Sequence, residues 1–240
     1  MVTKKIMQAY LDILKTGLSQ ALGCTEPTAI AYCCAKAREI LGAEPERMEV
    51  FCSGNIIKNV KGVIVLNSGG MYGIEAAAVL GVVGGRPDLA LEALSDVTAE
   101  HQRKARELIA EGYCKCFLQE GEENLYIRAI VYRGDEQASV TIQKRHDHIT
   151  EITRNGKKVF SSDTERESSA SDELALLNVK DILDFADSVP LEQLRPLLEP
   201  QIRLNTRIAE EGLSHPYGAQ VGKTLLEVHG NDVTTPARAW

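Results

Sequence analysis

Three stretches between residues 124 and 160 decide the fold: NLYIRAIVYR (124–133), ASVTIQKRHDHI (138–149) and ITRNGKKVF (152–160). In each, apolar and polar residues alternate with a period of two, the pattern of half-buried strands, and Asn155-Gly156 is a hairpin turn signal. Upstream, CKCFLQ (114–119), MEVFCS (48–53) and VKGVIVL (60–66) also read as strands. Between them LNSGGMYG (66–73) forms a Gly-rich loop that opens an Ala-rich helix, with further helices beginning near Pro87 and Thr98. The middle of the chain is therefore expected to be a mixed α/β unit.

On both sides the period lengthens to that of a helix. Residues 4–22 place Ile6, Tyr10, Ile13, Leu14 and Leu18 on one face. A second helix is expected from an N-cap at Thr25, with Glu26 and Pro27 in its first turn, to a stop at Gly42. Residues 161–172 (SSDTERESSASD) read as a linker, and 179–186, 191–212 and 217–228 carry helical patterns. The expected class is α+β, a helical layer interrupted by a mixed α/β insert, with segments 1–45, 46–165 and 166–240. No internal repeat is visible.

The 240 residues are 44% apolar and 25% charged, enough for a real core. No run of eighteen apolar residues exists and the N-terminus lacks the apolar stretch of a signal peptide, so a cytoplasmic protein without a membrane partner is expected. A net charge of −7 offers no general attraction to phosphate backbones, which argues against nucleic acid. The six cysteines (24, 33, 34, 52, 114 and 116) read as thiols in a reducing compartment rather than as a disulfide framework.

Cys24 stands beside the start of a helix, where unpaired amides and the helix dipole are expected to lower a thiol pKa. Cys33–Cys34 and Cys114–Cys116 lack zinc-knuckle spacing and read as packing residues. The Gly69-Gly70 loop precedes a helix and offers amides to a carboxylate or phosphate, although a tight turn explains it equally. His146 and His148 are expected on one strand face, a pair without a third ligand.

Taken in order, ALGCTEPTAIAY (21–32), SGNIIKNVKGVIV (53–65), GIEAAAVLGVVGG (73–85), LEALSDVT (91–98) and HDHITEITRNG (146–156) resemble the cysteine desulfidase family, related to the iron–sulfur L-serine dehydratase α region. GCTEP (23–27) is the most specific segment. The resemblance implies a lyase that converts L-cysteine to pyruvate, ammonia and sulfide with a 4Fe-4S cluster and no pyridoxal phosphate. Three cysteines would hold that cluster and leave one iron open as a Lewis acid; Cys24 matches one of them. The other two belong to a Gly-rich C-terminal half of the family, and no Cys follows Cys116 here. The chain thus reads as an N-terminal part that does not retain the cluster alone.

On this reading the substrate, a small amino acid, meets Ser53, Asn55, Lys58, Asn59, Gly69 and Gly70, while Glu26 or His146 is the base. The expected partners are further copies of the chain or a complementing C-terminal half. The alternatives are a non-catalytic fragment, a serine-dehydratase-like subunit needing a partner for its remaining ligands, and a zinc or thiol enzyme, which the cysteine spacing disfavours.

Overall fold

The computed structural model describes residues 3–21, 23–162 and 174–230. The period-two stretches form one six-stranded sheet: β1 (Arg47–Cys52), β2 (Cys114–Leu118), β3 (Tyr126–Arg133), β4 (Glu136–Gln143), β5 (Ile149–Arg154) and β6 (Lys157–Ser161), in the order β2-β1-β3-β4-β5-β6. β1 and β2 are parallel and every other neighbouring pair is antiparallel. A parallel pair needs a long crossover. Here α3 (Gly54–Val60), α4 (Ile74–Gly84), a 3-10 helix (Pro87–Glu92) and α5 (Ala99–Ala110) supply it. Asn155 and Gly156 both have positive φ, 49° and 73°, as the tight β5–β6 turn requires.

The strand alternation becomes a buried face. Met48, Val50 and Cys52 of β1, Ile127, Ala129 and Val131 of β3, and Ala138, Val140 and Ile142 of β4 are all buried. They pack with the second helix, α2 (Thr25–Leu41), whose Ala29, Ile30, Cys33, Cys34 and Ala37 are fully covered. α4 crosses α2 so closely that a Cβ on Gly81 would stand 2.3 Å from the Ala31 carbonyl oxygen. The Arg38 guanidinium donates to the carbonyls of Val82 and Gly85, the latter at 2.9 Å, and so satisfies the end of α4.

Two compact units result, residues 20–164 and, from the two ends of the chain, 1–19 with 165–240. The second holds α1 (Lys4–Gly17), α6 (Val179–Ser188), α7 (Leu191–Ser214) and α8 (Val221–His229). Its core is Tyr10, Leu11, Phe185 and Val189, with the Tyr10 ring edge-on to Phe185 at 5.4 Å and its hydroxyl donating to the Leu176 carbonyl at 3.1 Å.

The α+β class agrees with the sequence reading, and four local expectations do not. The first boundary falls between 19 and 20 rather than at 45, because α2 is buried against the sheet and α4. Residues 60–66 are not a strand: Ser53 caps α3, which runs to Val60, and beyond Gly62 only an isolated Ile64–Tyr72 bridge forms. The first helix ends at Gly17. His146 lies in the β4–β5 turn rather than on a strand, since Lys144 at φ 67° ends β4. Of the expected linker, residues 163–172 lie outside the described residues. Among the described residues no helix is long and apolar enough to cross a membrane.

Candidate functional site

The joint at residues 23–27 forms the N-terminus of α2. Cys24, with extended φ and ψ of −60° and 124°, takes the cap position and Thr25 becomes the first helical residue, one place earlier than expected. The Thr28 hydroxyl donates to the Cys24 carbonyl at 3.1 Å and fixes this entry. Glu26 then stands in the first turn, where the helix dipole favours a carboxylate.

Four side chains converge on that carboxylate. The Cys24 thiol donates to Oε2 at 3.2 Å and the Thr25 hydroxyl to the same oxygen at 3.3 Å. Asn59, carried by α3, donates from Nδ2 to Oε1 at 3.1 Å. His146 Nε2 lies 3.8 Å from Oε1 and 3.3 Å from Thr25 Oγ1. With the Thr25 proton directed to Glu26, Thr25 accepts from a protonated Nε2. Glu26 and His146 keep 19% and 30% of their side-chain surface, so the cluster is sheltered but open to a small solute.

Burial alone would raise the Glu26 pKa. The hydrogen bonds from Cys24, from the backbone and from Asn59, with the His146 charge, outweigh it and hold the carboxyl below its ordinary value. The Cys24 thiol moves the other way: burial, the bond to Glu26 and its negative charge raise its pKa against one favourable backbone contact. The expected thiolate is therefore corrected to a protonated thiol, because burial and the carboxylate two residues on both disfavour the charged sulfur.

Of the expected site residues, Cys24, Glu26, Asn59 and His146 meet here. The others stand apart from this cluster. Ser53 is buried and donates from Oγ to the Asn124 carbonyl at 2.7 Å, which ties the end of β1 to the β2–β3 connection. Asn55 and Lys58 are exposed on α3. The Gly69-Gly70 loop is bound to α5, Arg106 donating to the Gly69 carbonyl at 2.6 Å and Gln102 to the Asn67 carbonyl at 2.8 Å. Thr25 was the residue missed. Its identity as a helix-start residue concealed it, and only the fold brings His146 to it.

The cluster chemistry implied by the resemblance does not fit this donor set. Cys24 is exposed among oxygen and nitrogen groups, whereas Cys33, Cys34, Cys52 and Cys114 are buried in the core and Cys116 lies beside them. Among the described residues no three His, Cys, Asp or Glu side chains form a metal-holding group.

Comparison with known proteins gives a different affiliation from the expected one. The chain is similar to proteins named UPF0597 protein: 44% identical over 229 residues in Lachnoclostridium phytofermentans, covering 95% of this chain and 55% of that protein. The Finegoldia magna protein is 43% identical, covering 92% and 53%. The Treponema denticola protein is 40% identical, covering 97% and 55%. The cysteine desulfidase affiliation is overturned by these names, and the match runs along nearly the whole chain. The chain spans about half the length of these relatives. No family model matches. No solved structure matches.

Proposed function

We propose that the cluster around Glu26 is an acid–base centre acting on a small amino acid, with a lyase reaction as its class. The observation that supports it is the convergence of Cys24, Thr25, Asn59 and His146, brought from three separate segments, on one sheltered carboxylate. A carboxylate held below its ordinary range is poorly matched to removing a carbon-bound proton. An imidazole is the better acceptor. His146 takes the α-proton on this reading, Glu26 orients it together with Thr25, and the protonated Cys24 thiol is the nearby donor to a departing group. Loss of the α-proton and of a β-substituent leaves an aminoacrylate, which water converts to a 2-oxo acid and ammonia. A cytoplasmic setting accords with six cysteines that are all unpaired.

The test is 2-oxo acid release by the full chain from a panel of L-amino acids that includes serine and cysteine. Replacement His146→Asn is expected to lower turnover by about 10²–10⁴-fold, the usual contribution of a positioned acid or base. Lys104→Ala, on the exposed face of α5, is expected to leave it unchanged. Equal turnover in wild type and His146→Asn, or no turnover of any of these amino acids, contradicts the proposal.

A further inference from the structure

Away from the Glu26 cluster, β2 carries a second group of thiols. Cys114 and Cys116 are two residues apart and project from the same side of the strand, their sulfurs 3.9 Å apart. β2 is the terminal strand of the sheet. Cys114 is 7% exposed and Cys116 only half-buried, so the pair opens outward at one end. In the parallel register Val50 faces Cys116 and Cys52 faces Leu118, which puts Cys52 on the same side, one step diagonally from Cys116.

We infer that Cys114 and Cys116 form a dithiolate site for a soft monovalent metal cation of the copper(I) type. The geometry separates this from two other uses of the pair. A disulfide needs sulfurs about 2.05 Å apart and Cα atoms within about 6.8 Å. Two residues along a strand span about 6.6 Å, inside that limit, so the difference lies at the sulfurs, which a disulfide would have to bring about 1.9 Å closer. A metal needs little movement. Two metal–sulfur bonds of about 2.3 Å across the observed gap enclose an angle of about 115°, near trigonal. A linear arrangement would require the sulfurs to part by only about 0.7 Å. Sulfur donors in an apolar surround select a soft ion, whereas magnesium or calcium would seek oxygen.

The contact with the Cys116 sulfur and burial hold the proton on Cys114 in the free pair. Binding therefore breaks two S–H bonds, forms two metal–sulfur bonds and releases two protons, with no change of oxidation state.

The experiment is an anaerobic titration of the full chain with copper(I) against a chromophoric chelator, combined with X-ray absorption at the copper edge. The expected result is one copper(I) per chain in a shell of sulfur alone, unchanged in Cys24→Ser and lost in Cys116→Ser with circular dichroism unaltered. If Cys116→Ser does not fold, the sulfur-only shell and the release of two protons per metal in wild type carry the decision. Oxygen or nitrogen in the shell, loss of binding in Cys24→Ser, retention in a folded Cys116→Ser, or tighter binding of zinc than of copper(I) would each overturn the assignment. Since Cys24→Ser alters the Glu26 cluster alone, failure here and failure of the acid–base reading give different results.

Discussion

The unit of residues 20–164 and the unit built from the two chain ends are both rich in regular structure, yet they bury it differently. In the first, one face of β1, β3 and β4 and most of α2 and α4 are closed to solvent. In the second, four described residues form the core, and α7, 24 residues long, has none that is fully buried. Pro196 and Pro200 further remove two backbone donors from α7. An amphipathic pattern alone thus predicts a helix without predicting how much it buries. Most of the apolar surface removed from water, and hence most of the stabilisation, belongs to the sheet unit.

Matched substitutions test that contrast. Ile142 is fully buried and Ile208 is 70% exposed. Ile142→Ala is expected to cost about 2–5 kcal/mol, and Ile208→Ala no more than about 0.5 kcal/mol. Urea unfolding followed by circular dichroism measures both, and similar losses would remove the distinction between the units.

Glycine replacement sharpens it, because the same methyl group should act with opposite signs. Gly81→Ala drives a Cβ into the Ala31 backbone, which has no flexible end to yield, and is expected to destabilise by about 1–3 kcal/mol. Gly212, inside α7, has open space around its missing Cβ. Gly212→Ala is expected to stabilise by about 0.5–1 kcal/mol through helix propensity. Thermal melts of the two variants should move in opposite directions.

A smaller effect is expected at acid pH. The Glu26 pKa is depressed in the folded chain, so its ionised form is favoured by folding. Its contribution is fully present above the unfolded-state value and disappears as the pH falls through the folded one. Urea midpoints of wild type and Glu26→Gln, compared from pH 7 to pH 3, should differ at neutrality and converge in acid. Curves that stay parallel would show that Glu26 gains nothing from its neighbours.

The sheet was legible in the sequence because alternation and the Asn155-Gly156 turn are local signals. Residues 60–66 misled for the same reason: their β-branched composition is strand-like, but the helix begun at Gly54 runs through Val60, and Gly62 interrupts what remains. The site was half legible. Cys24 and Glu26 share one helix start, so their juxtaposition follows from the chain itself. Asn59 and His146 are 33 and 120 residues beyond Glu26 (59 − 26 and 146 − 26), and only the placement of α3 and of the β4–β5 turn brings them in. The Cys24 thiol moves up rather than down because burial disfavours its thiolate and Glu26 adds a full negative charge at 3.2 Å, against the fractional charge of a helix dipole.

That last point gives the most direct test of the site. The pH dependence of iodoacetamide alkylation at Cys24, read by peptide mapping, reports the state of its thiol in the presence of Glu26. Cys24 is the one exposed cysteine and should label before the buried thiols, with a midpoint above that of an ordinary cysteine. Glu26→Gln should move that midpoint down and speed labelling at neutral pH. A Cys24 midpoint at or below the ordinary thiol value, unchanged by Glu26→Gln, would contradict the carboxylate-centred cluster from which the proposed function is argued.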